Sequence, residues 1–231
     1  KWNLQVIFLI LKKIQLCQFF LLIFGIYRFP TQLKALGLIV QKVFTSTLIY
    51  YNYMRIVSGH LKGRRIIAPK KLPVRPTTDM AKEGLFNILN NRIRFQDIEV
   101  IDLFAGIGSI SFEFISRGTK RVTAVDANFD CIKFLTKTTE ELDLELNIIK
   151  SDVFDFLEKT PLKADLIFAD PPYDLPLERF QSIEESVRER SLLKEDEILI
   201  IEHSKHTSLE HINTFSEQRR YGNSVFSFFQ F

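Results

Sequence analysis

Cysteine is scarce in this chain of 231 residues: Cys17 and Cys131 are the only two. They lie far apart and match no metal-ligand spacing. This excludes a disulfide-stapled scaffold and a thiolate metal centre, and it suits reduced thiols in a cytoplasmic protein that holds no metal. Acidic residues are missing too, but only locally. Residues 1–53 carry Lys1, Lys12, Lys13, Arg28, Lys34 and Lys42 and no Asp or Glu. The formal charge of +3 is therefore uneven: without those six, 25 basic residues face 28 acidic ones in 54–231, a net of −3. Any affinity for nucleic acid must come from a local patch. Uninterrupted apolar runs of membrane length are also absent. Leu4–Leu11 and Ile14–Tyr27 are split by Lys12-Lys13, the second contains Gln15 and Gln18, and each falls short of the ~20 residues a spanning helix needs. No small-residue cleavage site follows them at Gly25-Ile26-Tyr27-Arg28.

Residues 1–53 show no sustained helical or strand period, and the first methionine is Met54. The expectation is that 1–53 arise from a start assigned too far upstream, with a weak membrane-like segment or a docked extension as the alternatives. Order begins at Met54. Arg55-Ile56-Val57-Ser58 and Arg65-Ile66-Ile67-Ala68 alternate polar and apolar residues around Gly59 and Gly63, which predicts a β-hairpin over 54–78. Asp79 is the expected cap of a helix running to about Asn90, with Ala81, Leu85, Phe86 and Leu89 on one face. From there strands near 100–103, 122–125, 147–149, 165–169 and 198–201 alternate with helices near 109–117, 128–141, 153–159 and 177–190, and Ser224–Phe231 closes the chain as a further strand. Repeated β-α units predict a domain over 79–231 of the α/β class, a mostly parallel twisted sheet with helices on both faces.

Asp170-Pro171-Pro172-Tyr173 follows the apolar run 164–169, which places it at the C-terminal lip of a buried strand, where open α/β sheets bind ligands. Two prolines fix φ twice and remove two N–H donors, leaving carbonyl acceptors beside an acid and an aromatic ring. That set suits a planar heterocycle carrying an amino group; a plain strand-ending turn is the alternative. Earlier in the chain, Asp102-Leu103-Phe104-Ala105-Gly106-Ile107-Gly108-Ser109 forms a glycine loop between a strand and a helix, where backbone can approach a ligand closely. Asp126 ends the next strand and can accept both hydroxyls of a ribose, in NAD or in S-adenosylmethionine alike. Three details favour the second. Ser111 stands where a dinucleotide fingerprint has its third glycine, Asp102 can orient the amino-acid tail of a cationic sulfonium ligand, and Asp152 can accept from an adenine amine. Simple helix capping is the competing role for Asp126 and Asp152. His203 reads as a core histidine, while Glu202 can line the pocket.

These segments together resemble S-adenosylmethionine-dependent amino-methyltransferases. With Arg55–Gly59, Lys62–Arg65, Arg75-Pro76-Thr77-Thr78-Asp79 and Glu83–Asn87 they resemble more closely still the RsmD-like family of 16S ribosomal RNA guanine-N2 methyltransferases, over about 54–231. The resemblance implies a Rossmann-like class I methyltransferase fold preceded by the small hairpin, and S-adenosylmethionine as cofactor. It implies small-subunit ribosomal RNA or the subunit itself as partner rather than DNA or membrane, in a cytoplasmic monomer. Carried over residue by residue, it gives Asp170, Pro171, Pro172 and Tyr173 the catalytic role. Cofactor contacts fall to Asp102, Phe104, Ala105, Gly106, Gly108, Asp126, Asp152 and Asp170, and RNA contacts to Arg55, Lys62, Arg64, Arg65, Arg75, Thr77 and Thr78. The family commonly has Arg after the Asp of Arg-Pro-Thr-Thr-Asp; here it is Met80, with Lys82 the expected substitute. The stretch from Met54 to Thr78 holds seven basic residues and no acid, which reads as a phosphate-binding face or an ordinary solvated one. A DNA adenine or cytosine methyltransferase would need a target-recognition insertion that this chain has no room for, and a dehydrogenase has no use for Asp-Pro-Pro-Tyr. A catalytically idle RNA-binding factor would not be expected to keep Asp170 and the glycines.

Overall fold

The computed structural model describes residues 51–69, 72 and 77–231. The readings made for 1–50, and for Lys70, Lys71 and Arg75, lie outside the described residues. Strand β1 (Tyr51–Arg55) pairs antiparallel with β2 (Arg65–Pro69), Arg55 opposite Arg65. The hairpin thus forms, but its ladder starts three residues ahead of Met54 and ends before Ile56–Ser58, which were expected to belong to it. Ile56 still bonds across the turn, its N–H to Arg64 O at 3.0 Å and its carbonyl to Gly63 N–H at 2.8 Å, whereas Val57 and Ser58 have partners on α2. Val57 N–H donates to Glu113 Oε1 at 2.8 Å, and Ser116 Oγ donates to Ser58 O at 2.5 Å. Gly59 permits the contact: its φ is +81°, and a Cβ there would meet Ser116 O at 1.8 Å.

Helix α1 (Asp79–Asn90) buries Ala81, Leu85, Phe86 and Leu89 as its spacing predicts. Its cap is Thr78, not Asp79: Thr78 Oγ1 accepts from Ala81 N–H at 3.2 Å. Asp79 sits in the first turn, where its carboxylate meets Arg55 Nε at 2.9 Å and Lys82 Nζ at 3.4 Å. After a 3₁₀ turn (Phe95–Asp97) the chain builds one seven-stranded sheet. Strands β3 (Glu99–Leu103), β4 (Arg121–Asp126), β5 (Asn147–Lys150), β6 (Ala164–Ala169) and β7 (Leu193–Ser204) run parallel, and β8 (Phe215–Tyr221) and β9 (Ser224–Gln230) complete it antiparallel, in the order β5-β4-β3-β6-β7-β9-β8.

Helices α2 (Ser109–Ser116), α3 (Phe129–Leu142), α4 (Val153–Lys159) and α5 (Leu177–Glu189) cover its two faces. Successive strand residues point to opposite sides. Val100, Leu166, Phe168 and Ile200 pack with α1, α2 and α3, while Ile101, Ile167, Ala169 and Ile201 pack with α4 and α5. This is why β6 reads as an apolar run without alternation from Leu166 to Ala169. Two elements escape the sequence pattern. Strand β7 extends from Leu193 to Ser204, well beyond 198–201, and β8 was not anticipated at all. Its Ser-Glu-Gln-Arg-Arg stretch lies at the sheet edge and is largely exposed, so it carries edge-protecting charge in place of apolar alternation. Among the described residues no helix is long and apolar enough to cross a membrane.

One buried carboxylate joins the hairpin and α1 to this sheet domain. Glu113 of α2 has no exposed surface. Its Oε1 takes Val57 N–H and lies 3.2 Å from Lys82 Nζ, and its Oε2 pairs with Arg117. Lys82, also fully buried, donates onward to the Arg55 carbonyl, and the Arg117 guanidinium lies 3.9 Å over the Phe86 ring. Lys82 is therefore a structural cation and not the substrate contact expected of it. Removing one member of a buried ion pair leaves the others uncompensated, at a cost of ~3–5 kcal/mol. Glu113→Gln should lose stability on that scale in urea unfolding, whereas Lys62→Ala at the exposed hairpin tip should stay within ~0.5 kcal/mol of wild type.

Candidate active site

From β3 the chain first winds outward through β4 and β5, then returns to lay β6 against the other side of β3. The C-terminal ends of β3 and β6 flank that switch point, where an α/β sheet opens a crevice. A cavity of about 550 Å³ occupies it, lined from β3, β4, β5, β6 and β7 and by Thr77 and Thr78 from the start of α1.

The glycine loop is shaped by alternating left-handed residues, Phe104 at φ +59°, Gly106 at +55° and Gly108 at +78°. Phe104 holds that conformation against the preference of a side chain with a Cβ, the kind of local strain that persists where surroundings over-determine it. Its neighbours supply the constraint: Ala105 N–H donates to Val125 O at 3.0 Å and Gly106 N–H to Asp126 Oδ2 at 2.7 Å. Asp126 Oδ1 accepts from Asn128 N–H, also at 2.7 Å, and Asn128 itself caps α3. So Asp126 is not the helix cap. It ties loop to strand end, and each of its oxygens retains a further lone pair for a ligand. Asp152 does cap α4, through Oδ1 to Phe154 and Asp155 N–H, while also lining the cavity.

Phe104, Ala105, Gly106 and Asp102 line the cavity as expected, but Gly108 does not. A Cβ at Gly108 would strike Leu135 at 2.5 Å and Phe112 at 2.8 Å, so that glycine serves the packing of α2 on α3. Asp102 is buried, and burial pushes its carboxyl up to about 7 despite the hydrogen bond from Ser111 Oγ at 2.5 Å. Ser111, the residue in place of the third fingerprint glycine, is thus the partner of Asp102. Cys131 borders the cavity as an inert thiol, pushed up to about 12 chiefly by burial.

On the other side of the switch point, Asp170 N–H donates to Leu103 O at 3.2 Å and Asp170, Pro171, Pro172 and Tyr173 all line the cavity. Of the two proline carbonyls expected to point outward, that of Pro172 accepts from Leu175 N–H at 3.0 Å and closes a turn. The Tyr173 hydroxyl lies 3.3 Å from Ser224 Oγ and 3.5 Å from Glu202 Oε1. Glu202 is buried at the end of β7 and lines the cavity. His203 next to it belongs to the core: Nδ1 lies 2.9 Å from the Ser204 carbonyl and so donates, Nε2 accepts from Ser227 Oγ at 2.8 Å, and burial lowers its pKa.

The residues assigned to RNA divide into two places. Thr77 and Thr78 belong to the cavity wall. Arg55, Lys62, Arg64 and Arg65 are exposed on the hairpin, Arg55 being engaged with Asp79. Arg64 and Arg65 border a second groove of about 590 Å³ between β2 and α3, with Lys133 and Lys137 across it.

Ser109 Oγ tests whether the cavity fits a nucleoside-bearing cofactor. It is buried at the start of α2, lines the cavity and has no partner among the described residues. A ligand carboxylate would supply one there, where unpaired helix N–H groups also favour an anion. Asp102 suits an ammonium group, Asp126 ribose hydroxyls and Asp152 an adenine amine, in that order along β3, β4 and β5. Fold and site together define a class I methyltransferase that uses S-adenosylmethionine. A hypothetical protein of Thermus thermophilus superposes with a TM-score of 0.66 at 22% identity, over 77% of this chain and 99% of its own. The T. thermophilus 16S rRNA N2-methyltransferase RsmC, solved with AdoMet and guanosine, superposes at 0.60 and 19% identity, over 78% of this chain and 50% of its own. In sequence, the Buchnera aphidicola "Ribosomal RNA small subunit methyltransferase D" is 33% identical over 67% of this chain and 80% of its own length, and the Haemophilus influenzae protein of the same name is 31% identical over 66% and 79%. The model of the family described as conserved hypothetical protein 95 matches residues 54–230, and the chain belongs to this RsmD-like family of ribosomal RNA methyltransferases.

The raised carboxyl of Asp102 predicts that cofactor binding depends on pH. Below about 7 the free protein holds a proton on Asp102, which must leave before the carboxylate can pair with a cation. Affinity for S-adenosylmethionine should therefore rise with pH between about 5.5 and 7, by up to about tenfold per unit, and level off above. Calorimetric titrations across that range should show the trend, and Asp102→Asn should flatten it.

Proposed function

We propose that the protein methylates the exocyclic N2 amine of a guanine in small-subunit ribosomal RNA, with S-adenosylmethionine as methyl donor. The observation that carries this reading is Asp170, set at the lip of β6 in the same cavity as the glycine loop and the acids of β3, β4 and β5. The names of the sequence relatives support small-subunit ribosomal RNA as the substrate, and the motif resemblance supports the guanine.

A purine amine is a weak nucleophile because its lone pair is delocalised into the ring. Asp170 and the Pro171 carbonyl accept its two N–H hydrogens, which draws the nitrogen toward tetrahedral geometry and frees the lone pair. The cofactor supplies an electrophilic methyl group: the N–C bond forms as the S–C bond breaks. The nitrogen's surplus proton passes to Asp170 and on to water. Holding the amine in line provides most of the acceleration, up to ~7–11 kcal/mol for a well-oriented pair. The ring of Tyr173, which lies partly exposed at the cavity rim, stacks on the base. Reaching this lip requires an unstacked base, which a looped RNA gives up more cheaply than a paired duplex.

Arg64, Lys62 and Arg65 on the exposed hairpin bind phosphates flanking the target. Two measurements test the scheme. In tritium-transfer assays on naked RNA, assembled subunits and duplex DNA, RNA substrates should take label. Asp170→Ala should lower turnover by at least ~10²–10³-fold with the cofactor dissociation constant within several-fold of wild type. Equal loss of both would make the residue structural. Lys62→Ala with Arg64→Ala should weaken RNA binding and reduce the magnitude of its log–log salt slope by about one per phosphate contact removed. An unchanged slope removes the hairpin from the interface.

A further inference from the structure

Strand register brings two acidic residues to matching positions along neighbouring strands at the lip. Ala169 of β6 pairs with Ile201 of β7, so Asp170 and Glu202 occupy matching positions at the C-terminal ends of adjacent parallel strands. Both line the 550 Å³ cavity. Glu202 is only 2% exposed, and its Oε1 faces the Tyr173 hydroxyl at 3.5 Å, within a cluster that includes Ser224 from the start of β9. A carboxylate lining the cavity here can accept hydrogen bonds from a bound ligand, since each of its oxygens has more than one lone pair. Amine activation by Asp170 does not use it.

Chemistry decides which base supplies such donors. On its Watson–Crick edge guanine presents N1–H beside the N2 amine, two adjacent donor groups. Adenine presents N1 and cytosine N3 beside the amine, and both are acceptors. Two carboxylates lining one cavity match the first edge and repel the other two. We propose that Glu202 is the specificity residue of the site, accepting the N1–H of a guanine whose N2 amine rests on Asp170. Tyr173, through its hydroxyl, holds the carboxylate in place while its ring covers the base. This rests on the methyl-transfer reading above and adds to it the physical basis of base choice. Excluding a base that lacks the matched N–H is the efficient form of discrimination, because the buried acceptor is then left without its donor.

The test uses the full-length protein and small-subunit ribosomal RNA in which the methylated guanosine, mapped first on the wild-type product, is replaced by 2-aminopurine riboside. That analogue keeps the 2-amine, lacks the 6-oxygen and replaces N1–H by a lone pair, so the change of preference in a Glu202 variant is what reports on N1. Wild type should prefer guanine in kcat/KM by at least about 10²-fold. Glu202→Gln, whose amide can donate to the N1 lone pair, should lose activity on guanine, gain it on 2-aminopurine and bring the two within several-fold. Its calorimetric affinity for S-adenosylmethionine should stay within about twofold. Equal use of both bases by wild type, or a wild-type preference ratio retained in Glu202→Gln, overturns the assignment while leaving the methyltransferase reading intact. Label on an adenine amine overturns the assignment together with the guanine target. If Glu202→Gln fails to fold, Glu202→Asp, which draws the carboxylate back by one methylene, takes its place: it should narrow the preference ratio, and an unchanged ratio overturns the assignment.

Discussion

A single carboxylate without solvent contact, that of Glu113, holds together parts that the chain keeps far apart. It receives a backbone N–H from the hairpin, the ammonium of Lys82 from α1 and the guanidinium of Arg117 from its own helix. Charges so deep in a protein are tolerated only when each is met by an opposite charge or a hydrogen bond, and here the set is mutually compensating. The consequence reaches the site. Docking α1 this way brings Thr77 and Thr78 to the rim of the cavity, so one wall of the crevice depends on an ion cluster at the far end of α2.

The remaining walls follow from the sheet. Five parallel strands end at one edge, and each delivers an acid there: Asp102 and the loop after it, Asp126, Asp152, Asp170 and Glu202. Their environments set them apart. Asp102 is buried and holds its proton to about neutrality, Asp126 shapes the glycine loop with one lone pair of each oxygen, Asp152 caps a helix, and Asp170 sits half-buried at the switch point beside Leu103. One residue type thereby serves several purposes, because burial and hydrogen-bond partners differ from strand to strand.

Much of this was legible from local pattern. The apolar β6 run, the glycine loop and the Asp-Pro-Pro-Tyr turn are contiguous signals, and the alternation of strands and helices gave the doubly wound architecture within a few residues at most ends. The cap of α1 lies one position before the expected Asp79, because Thr78 and Asp79 are both good caps and only the chain's entry angle chooses between them. Strand β8 was missed because its edge position selects for charge, against the alternation by which strands are recognised. Lys82 and Glu113 look like solvated helix residues until packing buries them against each other. Gly108 looks like part of a cofactor loop until α3 is seen to press on it.

Identity and order along the chain were enough to establish the class of fold, the edge at which ligands bind and the reactive turn, since each rests on residues next to one another or on a short period. The pairing of Asp102 with Ser111, the burial of Lys82 against Glu113, and the placement of Glu202 beside Asp170 came from folding alone. The last two join residues about thirty positions apart in the chain. Whether such a side chain is solvated, neutralised or aimed at a ligand depends on register and packing, which a one-dimensional pattern does not encode.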